Sequence, residues 1–402
     1  MNKSIKKCFT TIYTIILYRI KVLFRQIKPV RILSIGNNQQ GNQKRVLVSY
    51  LPSSVLWKEN DSRFNYHSNS WECRQIVRLF ADNGFIVDVI SYLDQRFKLK
   101  NEYDVIFDIN KNLIRYSTPI TKYRIMHCTG SNPRYSNKAL LERIENLRNR
   151  KGRYLNPRRL IPETEIESFE RNLEFVTHIT LLGNEITKNT YSKNYHDKIF
   201  KIPVTGSILT KKRDIERFIP KKEFLWFGGS GAVHKGLDLV LEVFQKHAEL
   251  FLHVVGPYEQ ERDFVETYSY ELYHCPNIKS HGYLSPSSPE FFEITKNVIG
   301  HILPSCSEAT SSAAITCMQF GLLPILSINC GVSIIEGENG FLLKTCSLNE
   351  IESAILKVCD LNEVEIKTIV NNSQECALSE YSHDGFSQSF DILIKDLKQV
   401  SI

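Results

Sequence analysis

The chain reads as an α/β protein of two doubly wound domains facing a central cleft, with an amphipathic helix in front of them. Three observations predict this. Short apolar runs alternate with longer amphipathic segments through most of the chain, the pattern of parallel strands covered by helices on both faces. The alternation stops in KIPVTGSILTKKRDIERFIPKK, between residues 203 and 220, and then restarts. The 402 residues, 42% hydrophobic and 24% charged, suffice for two domains of roughly 150 to 200 residues each.

The head, MNKSIKKCFTTIYTIILYRIKVLFRQIK, places Ile5, Phe9, Ile12, Ile16, Ile20, Leu23 and Ile27 on one stripe of a helix, with Lys3, Lys7, Lys21, Arg25 and Lys28 opposite. It holds seven basic residues and no acid, so the net charge of +7 resides there and the rest of the chain is neutral. Its uncharged run, Cys8 to Tyr18, is about half of the ~20 residues a membrane-crossing helix needs. No small-residue cleavage site follows that run. A helix lying on an anionic membrane surface fits, each basic residue adding about 1 kcal/mol of attraction; packing on the protein's own body is the alternative. The stripe is apolar rather than aromatic and basic, so no nucleic-acid partner is expected.

Residues 29–44, PVRILSIGNNQQGNQK, pass from a short apolar piece into an Asn, Gln and Gly rich stretch and read as a linker. The first domain, 45–205, then offers strand 45–51, helix 70–84, strands 86–92, 103–109 and 123–130, a charged helical region 138–172 and strand 177–184. The second, 206–378, offers strand 224–231, helix 235–247, strands 250–257 and 277–284, helix 288–297, strand 298–305, helix 311–321, strand 323–327 and the segment 339–344. Helices after Tyr381, within 379–402, are expected to cross back onto the first domain. The ten cysteines form neither a Cys-x-x-Cys pair nor a zinc-type cluster, which points to reduced thiols and a cytoplasmic protein.

In sheets of this kind ligands collect at the carboxyl ends of the strands. Neither a Walker loop nor Gly-x-Gly-x-x-Gly follows a first strand, which disfavours an ATPase or a nicotinamide enzyme. FGGSGAVHKG, residues 227–236, breaks a strand into glycines and sets Lys235 at a helix start. A diphosphate suits such amides and such a charge, although an ordinary turn reads the same way. Glu308 follows a strand and precedes a helix. It either caps that helix or accepts hydrogen bonds from sugar hydroxyls, while Thr310, Ser311 and Ser312 face phosphate. His127 ends a first-domain strand as a core residue or as a cleft group. His67, Asn69 and Ser70, ahead of the next helix, either cap it or face an acceptor.

Taken in order, FGGSGAVHKGLDLVLEVF, LHVVGPYE, IKSHGYLS, ILPSCSEATSSAAITCMQFGLLPI and EYSHDGFSQSF resemble the carboxyl-terminal domain of family 4 type glycosyltransferases, which share the two-Rossmann GT-B architecture. The resemblance is specific over 222–395 and looser over 45–205. It implies transfer of a sugar from a UDP- or GDP-linked donor with retention of configuration and without a bound metal ion or other cofactor. His127, Lys235 and Glu308 take the catalytic positions. Gly229, Ser230, Gly231, Gly256, Tyr283, Thr310, Ser311, Ser312 and Thr316 take the donor-binding positions. Ser230 stands where the family carries a phosphate-binding arginine, and Thr316 where it carries a ribose-binding glutamate. A neutral hydrogen bond from Thr316 is about half as strong as the charge-assisted one it replaces.

The expected partners are therefore a nucleotide sugar, a glycan or lipid-linked acceptor and, through residues 1–28, an anionic membrane at its inner face. A non-catalytic sugar-nucleotide-binding or scaffold protein, and an epimerase, are the alternatives on the same plan.

Overall fold

Strand centres such as VLVSY, VIFD, FLWF and LPILS leave almost no polar side chain to face water, and only sheets covered on both faces bury such runs. The computed structural model describes residues 29–36, 44–59, 61–65, 68–109, 111–206 and 222–399. The amphipathic head expected at 1–28 and the candidate His67 lie outside the described residues.

The first sheet contains β1 (Arg31–Ile35), β2 (Arg45–Tyr50), β3 (Ile86–Ser91), β4 (Val105–Asp108), β5 (Tyr123–Cys128), β6 (His178–Leu181) and β7 (Ile199–Lys201), in the order β1-β3-β2-β4-β5-β6-β7. Every pairing is parallel except that of β1 with β3. The stretch read as a linker at 29–44 is thus corrected: residues 31–35 form an edge strand of the first domain. Arg31 pairs with Asp94 at 2.6 Å, and the Ser34 N–H donates to Asp88 Oδ1 at 2.6 Å. With one neighbouring strand and no fully buried residue, β1 lacks the apolar run that marks the inner strands.

The second sheet contains β8 (Glu223–Phe227), β9 (Phe251–Val255), β10 (Ile278–Gly282), β11 (Gly300–Leu303), β12 (Leu323–Ser327) and β13 (Phe341–Leu343), all parallel, in the order β10-β9-β8-β11-β12-β13. The chain winds one way from β8 through β9 and the other way from β11 through β12. A crevice therefore opens past the carboxyl ends of β8 and β11, where doubly wound sheets take ligands.

Two elements tie the domains together. Helix His383–Gln399 returns to the first domain, where His383 stacks on Trp71 with ring centroids 3.6 Å apart and Phe390 meets Phe107 edge-on at 5.7 Å. In the opposite direction, helix Pro133–Lys151 leaves the first sheet and grips the second domain. Arg150 reaches Asp238 at 2.6 Å and Glu242 at 3.0 Å, Lys151 reaches Glu271 at 2.9 Å, and buried Arg143 donates to the Pro304 carbonyl at 3.0 Å. Just beyond, Arg153 pairs with Glu266 and Arg158 with Asp263. The charged stretch 138–172 resolves into this helix and a second one, Glu163–Phe175.

Candidate active site at the domain cleft

β8 runs into Gly228, Gly229, Ser230 and Gly231, and the following turn delivers Lys235 to the crevice. Gly236 closes the turn at φ 72, with Pro304 O only 2.5 Å from where a β-carbon would stand, so no other residue fits there without a shift. β11 runs into Pro304 and Ser305 and delivers Glu308 from the other side of the crevice. Lys235 and Glu308 form an ion pair, with side chains 8% and 10% exposed. Ser305 Oγ donates to the same Glu308 oxygen at 2.6 Å. Burial pushes the Glu308 carboxyl up, but Lys235, Arg159 and His234 outweigh it and hold it at about 2. Glu308 is therefore a fixed negative charge rather than a proton donor at neutral pH.

A cavity of about 270 Å³ opens beside Glu308, walled by Glu308, Ser307 and His234 from the second domain and by Gly130, Ser131 and Arg159 from the first. First-domain side chains hold the Glu308 loop in place: Ser131 Oγ donates to the Glu308 carbonyl, Ser136 and Ser307 share a hydrogen bond at 2.6 Å, and Thr187 Oγ1 donates to the Ala309 carbonyl at 2.8 Å. His234, its Nε2 2.6 Å from the Ser307 carbonyl oxygen, is kept neutral by burial, which lowers its pKa to about 3.

The glycine loop departs from expectation in one respect. The N–H groups of Gly231 and Ala232 donate to the buried carboxylate of Glu261, at 2.7 Å and 3.1 Å. An internal anion thus occupies the amides expected to meet a diphosphate, while Gly229 and Ser230 remain exposed. Gly256 packs beneath them, its N–H donating to the Gly282 carbonyl at 2.9 Å.

Thr310 Oγ1 donates to the Gly331 carbonyl at 3.1 Å, and Ser311 caps helix Ser312–Gln319 by accepting from the Ala314 N–H. Ser312 is half-buried in the first turn. Thr316, expected beside a ribose, is fully buried in that helix and its hydroxyl donates to the Ser312 carbonyl at 2.8 Å. Thr316 is not among the residues that line the cavity. Tyr283, past β10, is 59% exposed and open to a ligand.

His127 is 1% exposed, shares a 2.8 Å hydrogen bond from Nδ1 with Thr180 Oγ1, and packs against Tyr50 and Phe107. Burial lowers its pKa to about 3. It does not line the cavity, whose wall begins two residues on at Thr129, and its buried Nε2 meets no hydrogen-bond partner among the described residues. Ser70 lines a separate cavity of about 180 Å³ with Leu51, Trp57 and Tyr92, past the ends of β2 and β3, and half-buried Asn69 adjoins it in sequence. Among the described residues no group of three or more His, Cys, Asp or Glu is placed to hold a metal ion, and no helix is long and apolar enough to cross a membrane.

Sequence reasoning missed Arg159, His234, Glu261 and the serines that brace the Glu308 loop. His234 alone carried a local signal, standing beside Lys235 in FGGSGAVHKG.

Residues 210–375 match the family model for glycosyl transferases group 1. No curated protein matches the chain by sequence. Among solved structures, sucrose-phosphate synthase from Thermosynechococcus elongatus superposes with a TM-score of 0.59 at 14% identity, over 90% of this chain and 100% of the other. The Anabaena protein HepE in complex with UDP and glucose gives 0.54 at 11%, over 89% and 100%. WaaG, a glycosyltransferase involved in lipopolysaccharide biosynthesis, gives 0.53 at 13%, over 90% and 100%. The chain therefore has the two-domain GT-B fold of these structures, and its second domain, across residues 210–375, is similar to glycosyl transferases group 1.

Proposed function

We propose that the protein is a retaining, family 4 type transferase that moves a sugar from a UDP- or GDP-linked donor to a glycan or lipid-linked acceptor, in surface polysaccharide or glycolipid synthesis. The observation that carries this reading is the Lys235 and Glu308 pair at the switch point of the second sheet, opening on a cavity shared with the first domain. HepE was solved with UDP and glucose, which supports the donor class.

Glu308, ionised and pinned by Ser305, accepts hydrogen bonds from donor-sugar hydroxyls. The Lys235 ammonium has three donors, so it keeps Glu308 and still donates to a phosphate oxygen. The bond from the anomeric carbon to the phosphate oxygen breaks, with its electron pair leaving on the diphosphate beside Lys235. The acceptor hydroxyl forms the new bond on the same face and passes its proton to the departing phosphate oxygen. The chain supplies charge and position here, with no metal or covalent nucleophile assigned a step. Peripheral attachment to an inner membrane face through residues 1–28 belongs to the same proposal.

The test is a panel of nucleotide sugars scored for protection against thermal unfolding, since a ligand bound only by the native state raises stability by mass action. At least one UDP- or GDP-sugar is expected to protect and to be turned over with an acceptor. If none protects, the donor assignment fails. Attachment is tested separately with anionic vesicles: the full chain is expected to co-sediment and a chain starting at residue 29, which keeps β1, to stay behind.

A further inference from the structure

The cavity at the domain cleft has a charge surplus once its internal pairs are counted. Glu308 is neutralised by Lys235, Glu165 on the opposite wall faces Lys111 at 3.5 Å, and His234 is neutral. The remaining charge on the wall is the Arg159 guanidinium, which makes no hydrogen bond or ion pair among the described residues. Its neighbour Arg158 is spent on Asp263. The Arg159 stem crosses the glycine loop, with Cδ 2.8 Å and Cγ 3.0 Å from where a β-carbon on Gly231 would stand, one residue from exposed Ser230. Its charge acts on both Glu308 and His234.

We propose that Arg159 is a binding residue for the donor's diphosphate, reaching the glycine loop from the first domain and supplying the positive charge that the loop lacks at Ser230. This rests on the nucleotide-sugar reading above and deepens it. An unpaired guanidinium presents a planar fork suited to two phosphate oxygens. The loop cannot recruit that charge itself, because the amides of Gly231 and Ala232 are engaged by Glu261. The source of the charge also matters for motion. Arg159 follows the segment that Arg153 and Arg158 strap to Glu266 and Asp263, so the diphosphate would be held jointly by both domains, and donor binding would favour the closed cleft.

The test is calorimetric titration of UDP and of GDP into the wild-type chain, Arg159→Ala and Arg159→Lys, with the melting temperature of each free protein measured alongside. Arg159→Ala is expected to weaken the preferred diphosphate by about tenfold to a hundredfold, the span of a charge-assisted hydrogen bond, with an unchanged melting temperature. Arg159→Lys, which keeps the charge without the fork, is expected to fall in between. Wild-type affinity in Arg159→Ala, or an equal loss in Arg159→Lys, overturns the role of Arg159 and leaves the donor reading standing. Failure of the wild-type chain to bind either diphosphate removes the donor reading and this inference with it.

Discussion

Replacing Lys235 by Met should strand a carboxylate in the cleft, and the structure sets how much that costs. Glu308 is 10% exposed and its carboxyl is held at about 2 against burial, chiefly by Lys235, where the ordinary value is 4.5. That displacement corresponds to about 3 kcal/mol, in the range of about 3 to 5 kcal/mol for removing one member of a buried pair. Lys235→Met should therefore lower unfolding free energy by about 3 kcal/mol at pH 7.5 in urea titrations. Glu308→Gln should cost a similar amount by stranding the ammonium. The double variant removes both charges while Gln still accepts from Ser305 Oγ, so its cost should be nearer 1 kcal/mol, well below the sum of the singles. The pH dependence carries a matching sign. A depressed carboxyl contributes stability above its unfolded value of 4.5 and loses it as pH falls towards 2, so the wild-type advantage over the double variant should shrink through that window. A single variant costing under about 1 kcal/mol, or a double variant costing the sum of the singles, would refute the reasoning.

Three further outcomes follow from particular contacts. Glu72 is fully buried, and burial raises its pKa to about 7 despite hydrogen bonds from Thr205 and Ser68. Between pH 4.5 and 7 the folded chain thus holds a proton the unfolded chain has released, and Glu72→Gln should gain about 3 kcal/mol at pH 8 relative to its effect at pH 4. Identical pH profiles in urea titrations would contradict this. Gly331 sits at φ 68, and a β-carbon there would stand 1.5 Å from the Ala309 carbonyl oxygen; Gly331→Ala should displace the loop that carries Glu308 and cut turnover by at least about tenfold, and wild-type turnover would show that the loop adapts. Arg150→Ala leaves Asp238 with the charge of Arg143 and Glu242 with the Tyr268 hydroxyl as their remaining partners, so thermal or urea unfolding should show a loss of about 1 to 3 kcal/mol, and a loss under about 0.5 kcal/mol would mean that water replaces the guanidinium.

Inner parallel strands announce themselves, because burial on both faces forces apolar runs such as VIFD and LPILS. The edges of the first sheet do not: β1 and the three-residue β7 each pair on one side only and carry mixed side chains. Lys235 and Glu308 were legible because each follows a recognisable strand end, so topology alone brings them to one crevice. For Thr316 and His127 a sequence position states the helix or strand, while packing decides how each side chain is oriented: both are buried and neither lines the cavity. Arg159 and Glu261 left no local trace. Arg159 stands in RYLNPRRLIP, where no period marks a face, and it becomes part of the site only because helix Pro133–Lys151 and the ion pairs beyond it carry that segment across to the second domain. Glu261 meets the glycine loop from 29 residues downstream of Ala232.

The most direct measurement is release of nucleoside diphosphate from the protecting UDP- or GDP-sugar, with acceptor present, by the wild-type chain and by Lys235→Met/Glu308→Gln at a temperature where unfolding curves show both folded. The account predicts turnover in the wild type and its loss in the double variant. Equal turnover by the folded double variant would contradict it.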